Sequence, residues 1–335
     1  MSVELRKERQ ISVVDKYRGA LDCVSPASFW TVDNLVRESA WKEHAPFAYW
    51  LVESQEPRTF VELGTHGGFS YFAFCQAIKK LALETKCYAI DTWRGDEHSG
   101  LYDDDVHDSV KSYNDAHYSG FSNLIRMTFE EARHQFADGS VDLLHIDGRH
   151  FYDDVKSDFE TWLPKLSERA IVLFHDTEVR ERGFGVFKLW EEIRDLYPSF
   201  EFQHGHGLGV LAVGPKIPKA VAPLFEASNS HETVVAIRSA YARLGSTISL
   251  EAKDATQQDE LSRMTAENDA LGKALGESRE QVQGLVSNAA ALERTIEQLQ
   301  LDRARQDGEL RELRNSTSWK LTAPLRFVGR LIGRG

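Results

Sequence analysis

The segment 59–74 places an apolar run, a cluster of glycines and a second apolar run in close succession. Its first part, apolar apart from Glu62, predicts a buried strand. Gly64, Gly67 and Gly68 then allow the backbone to turn sharply and to approach a ligand that a side chain would exclude. A helix that begins at this turn directs its free N–H groups toward the same ligand. The segment therefore predicts a loop that holds a nucleotide-type cofactor.

The spacing of the glycines separates two kinds of nucleotide ligand. A dinucleotide fingerprint has the form G-x-G-x-x-G, with an acid about 20 residues further on. Here the spacing is G-x-x-G-G, and Glu62 precedes the first glycine. The next apolar run, 86–90, ends in Asp91, which can take two ribose hydroxyls. The pattern favours an adenosyl ligand, and a glycine turn in a dehydrogenase or another doubly wound fold is the alternative.

Over residues 47–213 the chain resembles the class I S-adenosylmethionine-dependent methyltransferases, whose first motif has the form V-E-L-G-x-x-x-G-x-S. It is most similar to the bacterial sugar O-methyltransferase and cephalosporin-hydroxylase-like branch. The resemblance implies that S-adenosylmethionine is the cofactor and that its methionine part is surrounded by Glu62, Gly64, Thr65, Gly68 and Ser70. It also implies that the ribose and adenine lie near Asp91, Thr92, Trp93, Thr128 and Phe129.

Composition restricts the partners and the compartment. The net charge of −12 argues against a nucleic-acid-binding protein, which is expected to carry a basic surface. The three cysteines, Cys23, Cys75 and Cys87, have no C-x-x-C spacing and lie in apolar surroundings, as buried thiols of a reducing cytosol do. The first residues contain no apolar signal core, and nowhere is there a run of about 18 apolar residues. We expect a cytoplasmic protein without a membrane span.

Alternating strand-like and helical patterns organise the chain. Residues 1–56 are predicted to form a helical cap, and 57–215 an α/β domain with a doubly wound, mostly parallel, seven-stranded sheet. The predicted strands are 59–63, 86–90, 122–127, 141–146, 169–174, 200–204 and 208–213. The last two, joined by 204–207, resemble the closing hairpin that this methyltransferase fold commonly carries. A helical connection is predicted over 216–250.

A heptad pattern follows over 251–315. From Leu261 to Leu313, apolar residues alternate every three and four positions, which predicts a left-handed coiled coil and a homo-oligomer, either a dimer or a trimer. Asn268 at a core position would fix the register at some cost in stability. Four glycines each weaken the helix by about 1 kcal/mol relative to alanine. A solitary, partly frayed helix or disorder is the alternative.

The final segment, 316–335, reverses the charge of the chain. Lys320, Arg326, Arg330 and Arg334 alternate with apolar residues, a pattern typical of helices that bind a membrane surface. Residues 318–326 also resemble the Ser-Trp-Arg-Leu-Thr-Ala-Pro-Leu-Arg tails of bacterial surface-polysaccharide glycosyltransferases and their partner enzymes. We expect this tail to contact a glycosyltransferase partner or the inner membrane. Docking on its own oligomer is the alternative.

Two neighbouring strands are followed by residues that suit a divalent metal. Asp147 follows the fourth strand, and His175 and Asp176 end the fifth. Because parallel strands end at one edge, these side chains should converge beside the methyl group of the cofactor. Carboxylates favour Mg or Mn, and an imidazole tilts the choice toward transition metals. Metal-dependent sugar O-methyltransferases that the chain resembles carry an acidic pair after the fifth strand, so His175 departs from that pattern.

Methyl transfer to a hydroxyl also requires a group that removes the hydroxyl proton. His150, three residues after Asp147, matches the base position of the macrolide-sugar enzymes in that branch, and we predict His150 and Asp147 as catalytic residues. The alternative is that His150 and His175 only cap helices or hold loops. His145, inside the fourth strand, is predicted to be a core histidine with satisfied hydrogen bonds.

These residues predict an S-adenosylmethionine-dependent O-methyltransferase that modifies a sugar hydroxyl of a bacterial surface polysaccharide. Two alternatives remain open. One is an O-methyltransferase of small-molecule natural products, which would have no use for the tail. The other is a non-catalytic coiled-coil scaffold of a glycan-assembly complex, against which the intact acids Glu62, Asp91, Asp147 and Asp176 argue.

Overall fold

A computed structural model describes residues 19–35, 39–96, 100–101 and 103–332. Residues 1–18 of the predicted cap and 333–335 of the predicted tail lie outside the described residues. The chain divides into two compact units, Met1–Gln257 and Gln258–Gly335.

The first unit begins with 3-10 helices at Pro26–Phe29 and Ala40–His44, which lead into a series of alternating helices and strands. Its helices are α1 (Ala45–Gln55), α2 (Phe69–Lys80), α3 (Asp104–His117), α4 (Phe129–Ala132), α5 (Tyr152–Trp162), α6 (Val186–Ile193) and α7 (Ala222–Glu226). Its strands are β1 (Thr59–Leu63), β2 (Lys86–Asp91), β3 (Gly95–Asp96), β4 (Gly100–Leu101), β5 (Ser122–Arg126), β6 (Val141–Ile146), β7 (Leu166–His175), β8 (Ser199–Phe202) and β9 (Leu208–Ala212).

Seven of these strands form one sheet in the order β5-β2-β1-β6-β7-β9-β8. The pairs among the first five strands are parallel, whereas β9 runs antiparallel to both β7 and β8. The predicted doubly wound, mostly parallel sheet with its closing hairpin is confirmed. The chain leaves β1 toward β2 and β5 and later returns on the other side of β1 as β6. Ligands of open α/β sheets bind at such a reversal, outside the carboxyl ends of the strands.

Helices cover both faces of the sheet. Successive residues of a strand point to opposite faces: Phe60 of β1 belongs to a core cluster with residues of α1 and α2, whereas Val61 belongs to a second cluster with residues of α5 and α6. Because both faces are buried, the central strands are apolar on both sides rather than alternating. This explains why the strand-like runs were recognisable in the sequence.

The strand β7 begins three residues before its predicted start at 169. Its first residue, Leu166, pairs with Val141, and the register then shifts before Leu143 pairs with Ile171. The residues of β7 before the shift do not form an apolar run, so the sequence pattern did not predict them as part of the strand. The short hairpin of β3 and β4 also lacks a sequence signal, because each of its strands contains two residues.

The helix α8 (His231–Asn315) begins in the first unit. There Tyr241 donates a hydrogen bond from its hydroxyl to the carbonyl oxygen of Cys23, at 2.6 Å. A Cβ at Gly245 would lie 2.2 Å from the carbonyl oxygen of Glu43, so only glycine allows this close approach. The first part of α8 is therefore packed firmly against the segment that precedes β1. The three cysteines are buried and unpaired, as predicted.

The second unit contains the rest of α8, followed by α9 (Thr317–Leu321) and α10 (Ala323–Ile332). The helix α8 continues through the four glycines of the heptad segment without interruption. Leucines of the heptad pattern, Leu271, Leu285 and Leu299 among them, are exposed in the single chain. Among the described residues, no helix is both long and apolar enough to cross a bilayer.

Candidate active site

A cavity of about 1020 Å³ opens at the carboxyl ends of the parallel strands. Twelve of the fourteen predicted site residues line it: Gly64, Thr65, Gly68, Ser70, Asp91, Thr92, Thr128, Phe129, Asp147, His150, His175 and Asp176. The other two, Glu62 and Trp93, are buried beside it. The sheet therefore brings residues from distant parts of the sequence to one cavity, as expected for strand ends at a single edge.

The glycine loop lies directly against the end of β6. Gly64 has a φ of +88°, and a Cβ there would be 2.2 Å from the carbonyl oxygen of Asp147. Gly68, with a φ of +81°, is the N-cap of α2 and donates its N–H to the carbonyl oxygen of Thr65 at 2.8 Å. The Thr65 hydroxyl lines the cavity, is buried and has no hydrogen-bond partner among the described residues. The loop thus offers an unsatisfied hydroxyl beside the N-terminus of a helix.

Asp91 ties this loop to the end of β2. Its Oδ2 accepts hydrogen bonds from the backbone N–H groups of Thr65 and His66, each at 2.9 Å, and its Oδ1 accepts one from Trp93 at 2.7 Å. Trp93 does not face the cavity, and its Nε1 donates to the carbonyl oxygen of His66 at 3.0 Å. Asp91 is therefore at the edge predicted for the ribose, and it also shapes the loop.

Thr128 and Phe129 border the same cavity at the start of α4. Thr128 and Glu131 form a reciprocal capping box, with the Thr128 hydroxyl 2.8 Å from Glu131 Oε2. The ring of Phe129 lies so close to Gly148 that a Cβ there would be 2.5 Å from it. The cap and the ring contact fix this wall of the cavity.

Glu62 is fully buried and does not reach the cavity wall. Its Oε2 lies 2.8 Å from Nδ1 of His145, and Nε2 of that histidine accepts a hydrogen bond from Nε1 of Trp41 at 3.0 Å. Burial raises the pKa of Glu62, and the contact with His145 opposes this shift. His145 is thus a buried histidine with both ring nitrogens bonded, as its place inside the strand predicted.

A cluster of carboxylates and imidazoles follows the neighbouring strands β6 and β7. His175 Nδ1 lies 3.3 Å from Asp147 Oδ1 and 3.4 Å from Asp176 Oδ1. His150 Nε2 lies 3.0 Å from Asp176 Oδ2 and 3.4 Å from Asp147 Oδ1. His206, from the turn between β8 and β9, places its Nδ1 3.3 Å from Asp176 Oδ1. The two acids are thus surrounded by three imidazoles.

The charges within this cluster stabilise one another. Burial by itself would raise the pKa of Asp147, but His175 and His150 outweigh it and lower the pKa to about 2. Burial would likewise lower the pKa of His150, yet Asp147 and Asp176 raise it to about 9. In the absence of another cation, the two carboxylates therefore hold a proton on His150 at neutral pH.

The donor set fits a divalent metal. Ligand atoms of Asp147, His175 and Asp176 all lie within 4.8 Å of one another. His175 Nε2 is 3.0 Å from the carbonyl oxygen of Gly205, which can only accept, so Nε2 carries the proton. Burial alone would lower the pKa of His175, but Asp176 and Asp147 raise it well above its usual value, so without a cation Nδ1 also carries a proton and faces the carboxylates. A bound metal would replace that proton and take Nδ1 as a ligand, while Nε2 keeps its hydrogen bond to the carbonyl oxygen, the arrangement typical of metal-binding histidines.

Trp41, Phe184 and His206 are among the cavity-lining residues that were not predicted as site residues. Phe184 stacks on His150, with ring centroids 4.5 Å apart and an interplanar angle of 10°. Each residue lies in a segment between strands or before the sheet, where no periodic pattern places a side chain. His206 could have been recognised in the sequence, because it lies in the turn 204–207 of the predicted closing hairpin, next to the strand that ends in His175.

Comparison with known proteins agrees with this architecture. Residues 61–177 match a family model described as a methyltransferase domain. The uncharacterized protein y4gI of Sinorhizobium fredii is 56% identical over 186 residues, which are 56% of this chain and 20% of that protein. The chain thus spans about a fifth of the length of this relative.

Solved structures to which the chain shows similarity include a methyltransferase from Geobacter sulfurreducens, at 18% identity and a TM-score of 0.39, covering 51% of this chain and 78% of that one. Another is the O-methyltransferase TomG from Streptomyces achromogenes, involved in tomaymycin synthesis, at 14% identity and a TM-score of 0.40, covering 54% and 83%. At these values we infer no substrate from either.

The seven-stranded sheet and the glycine loop at the end of β1 thus accompany a match to a methyltransferase-domain model over residues 61–177. The match begins within β1 and ends one residue after Asp176, so it contains the glycine loop, Asp91 and the Asp147–His150 and His175–Asp176 pairs.

Proposed function

We propose that this protein is an O-methyltransferase that transfers the methyl group of S-adenosylmethionine to a sugar hydroxyl of a bacterial surface glycan. One observation carries the proposal: the glycine loop with Asp91 and the cluster around Asp147, His150 and Asp176 line the same cavity. A donor held by the loop and an acceptor held by the cluster would therefore meet within it.

The chemistry requires in-line attack of the hydroxyl oxygen on the sulfonium methyl group. The new C–O bond forms as the C–S bond breaks, S-adenosylhomocysteine leaves, and the hydroxyl proton passes to His150, which would be neutral with a cation held by Asp147 and Asp176. A divalent metal on Asp147, His175 and Asp176 would lower the pKa of the bound hydroxyl. Phe184, stacked on His150, keeps the imidazole in place.

The second unit supports a glycan acceptor. Its tail resembles those of surface-polysaccharide enzymes over residues 318–326, and the guanidinium of Arg326 lies over the ring of Trp319, 3.7 Å from its centroid. Leu321 and Leu325 in this region are exposed. We propose that the tail contacts the inner membrane, where lipid-linked glycans are assembled, and that the heptad segment joins chains into a homo-oligomer.

The test is a methyl-transfer assay with labelled S-adenosylmethionine and two sets of acceptors, bacterial surface glycans and small phenolic compounds. We expect label in a methyl ether of a glycan sugar, lost in His150→Gln and retained in the control His134→Gln, whose histidine is exposed and outside the cluster. Transfer to the phenolic compounds alone would contradict the glycan assignment. Equal activity of the two variants would contradict the role of His150.

A further inference from the structure

The turn 204–207 between β8 and β9 is held over the end of β7 by its backbone oxygens. The carbonyl oxygen of Gly207 accepts the N–H of Asp176 at 3.0 Å. The carbonyl oxygen of Gly205 lies 3.0 Å from Nε2 of His175. The turn therefore contacts two of the three residues whose ligand atoms converge in the candidate metal site.

A second imidazole reaches the same carbonyl oxygen from the segment before the sheet. Nε2 of His44 lies 3.0 Å from the oxygen of Gly205. Because a carbonyl oxygen has two lone pairs and can only accept, both imidazoles donate to it from Nε2. Gly205 has a φ of +56°, and a Cβ there would lie 2.8 Å from Nε2 of His44. The oxygen of Gly205 thus connects His44 to His175.

The surroundings of His44 leave this contact as its polar anchor. His44 is the last residue of the 3-10 helix Ala40–His44, is fully buried and does not line the cavity. Its ring centroid lies 4.8 Å from that of His204 and 5.6 Å from that of His175. Burial, together with these imidazoles, holds the pKa of His44 well below its usual value, so the ring carries one proton, on Nε2. Its buried Nδ1 has no hydrogen-bond partner among the described residues.

We infer that His44 is a positioning residue of the metal site, because its hydrogen bond holds the carbonyl oxygen of Gly205 where that oxygen fixes the ring of His175. The inference rests on the proposed function, since it takes a divalent metal as the occupant of Asp147, His175 and Asp176. The carbonyl oxygen keeps a proton on Nε2 of His175 and directs Nδ1 toward the carboxylates. His44 acts through Gly205 rather than by contact with the metal.

The expected effect follows from the distance of His44 from the metal. Loss of a group that hydrogen-bonds directly to a metal ligand typically weakens metal binding by roughly 10- to 100-fold. His44 is one step further out, and His175 keeps its own hydrogen bond to Gly205 when His44 is replaced. We therefore expect the lower end of that range.

Titration of the full chain with Mn²⁺, followed by the electron paramagnetic resonance signal of the free ion, tests the inference. His44→Phe keeps an aromatic ring and loses the donor, and we expect it to bind Mn²⁺ about tenfold more weakly than wild type. His44→Gln is the matched control, because its side-chain amide can donate to the same carbonyl oxygen. It should bind Mn²⁺ with an affinity close to that of wild type.

Gly205→Ala disturbs the same contact from the other side, since its Cβ would displace the ring of His44. It should weaken Mn²⁺ binding as His44→Phe does, and it replaces that variant in the comparison with His44→Gln if His44→Phe fails to fold. Calorimetric titration with S-adenosylhomocysteine shows whether the cofactor cavity is intact. We expect all three variants to bind this ligand as wild type does, because the predicted cofactor residues follow other strands.

Unchanged Mn²⁺ affinity in His44→Phe and Gly205→Ala, or an equal loss in His44→Phe and His44→Gln, would overturn the inference. A wild-type chain that binds S-adenosylhomocysteine but no Mn²⁺ would also overturn it, while the proposed methyl transfer would stand. If the folded wild-type chain binds neither, the proposed function fails together with the inference.

Discussion

Asp176 and His206 hold backbone conformations that residues other than glycine rarely adopt, with φ values of +63° and +69°. Aspartate and histidine tolerate this region better than most residues, but it still costs on the order of 1 kcal/mol or more. The N–H of Asp176 donates to the carbonyl oxygen of Gly207 at 3.0 Å, which holds the turn. With these conformations the two side chains line the cavity, and His206 Nδ1 lies 3.3 Å from Asp176 Oδ1.

The histidine at position 175 leads to a prediction about metal selectivity. An imidazole nitrogen favours transition metals over Mg²⁺, which prefers oxygen ligands. We expect the wild-type chain, dialysed against equal concentrations of Mg²⁺ and Mn²⁺, to retain mainly Mn²⁺. His175→Asp should shift the retained ratio toward Mg²⁺ by about tenfold, as measured by elemental analysis. An unchanged ratio in the variant would contradict a ligand role for His175.

Asp158 on α5 leads to a prediction about pH and stability. Burial, together with the nearby Asp154, raises the pKa of this half-buried carboxyl to about 7. The unfolded chain releases the same proton near pH 4. Between these values the folded state binds more protons, so the free energy of unfolding falls as pH rises from about 4 to 7 and then levels off.

Asp158→Asn removes the titrating carboxyl and with it this dependence on pH. The free energy of unfolding of the variant, relative to wild type, should therefore rise between about pH 4 and 7. Urea unfolding near pH 5 and pH 8 measures the difference. Asp153→Asn, an exposed position of the same helix, is the control. The same stability difference between Asp158→Asn and wild type at both pH values would show that Asp158 does not titrate in this range.

Much of the candidate site was predictable at the residue scale, for a clear reason. Asp147, His175 and Asp176 follow strand-like runs, and parallel strands bring their ends to one edge whatever lies between them. Trp41 had no such guide, since the segment that carries it is positioned by tertiary packing. Glu62 was recognisable from its motif, but its burial against His145 depends on the pairing of β1 with β6.

At the scale of elements, the loop between β1 and α2 is tightly constrained at one of its glycines. Gly64 combines a positive φ with contact to the backbone of Asp147, whereas a Cβ at Gly67 would meet nothing within 4 Å. The two glycines are close in sequence, and both line the cavity. They therefore form a matched pair for substitution.

We predict that Gly64→Ala lowers the free energy of unfolding by more than about 2 kcal/mol, because strain at φ and a backbone clash add together. Gly67→Ala should change it by less than about 1 kcal/mol, since an alanine in open space mainly reduces the freedom of the unfolded chain. Chemical denaturation of both variants measures the difference. Equal effects would mean that the loop is not held against β6 as described.

Element order and strand positions could be predicted because apolar runs buried on both faces alternate with helical patterns. The role of Asp91 could be predicted only in part from the sequence. The sequence places an acid at the end of β2, but the hydrogen bonds from Thr65, His66 and Trp93 depend on how the loop folds back. The long helix was predicted from its heptads, and its coiled-coil partner stays a prediction.

At the scale of the whole molecule, the second unit raises the question of oligomerisation. Leu299 lies on the heptad stripe and Leu301 on the opposite side of the helix, yet they are equally exposed in the single chain, at 62% and 61%. A coiled coil would bury the first and leave the second in solvent. These leucines are therefore a matched pair for testing the predicted assembly.

We expect the full chain to sediment as a dimer or trimer, Leu301→Glu to behave in the same way, and Leu299→Glu to shift toward monomer, because it places a charge in the apolar seam. Sedimentation velocity measures all three. A monomeric wild type, or equal behaviour of the two variants, would contradict the coiled coil.

The central claim is that the cavity binds S-adenosylmethionine. Calorimetric titration of S-adenosylhomocysteine into the wild-type chain, with NAD as the control ligand, tests it most directly. The account predicts saturable micromolar binding of S-adenosylhomocysteine and no binding of NAD, because the glycine spacing and Asp91 suit an adenosyl ligand. Binding of NAD in its place, or no binding of either ligand to the folded protein, would contradict the account.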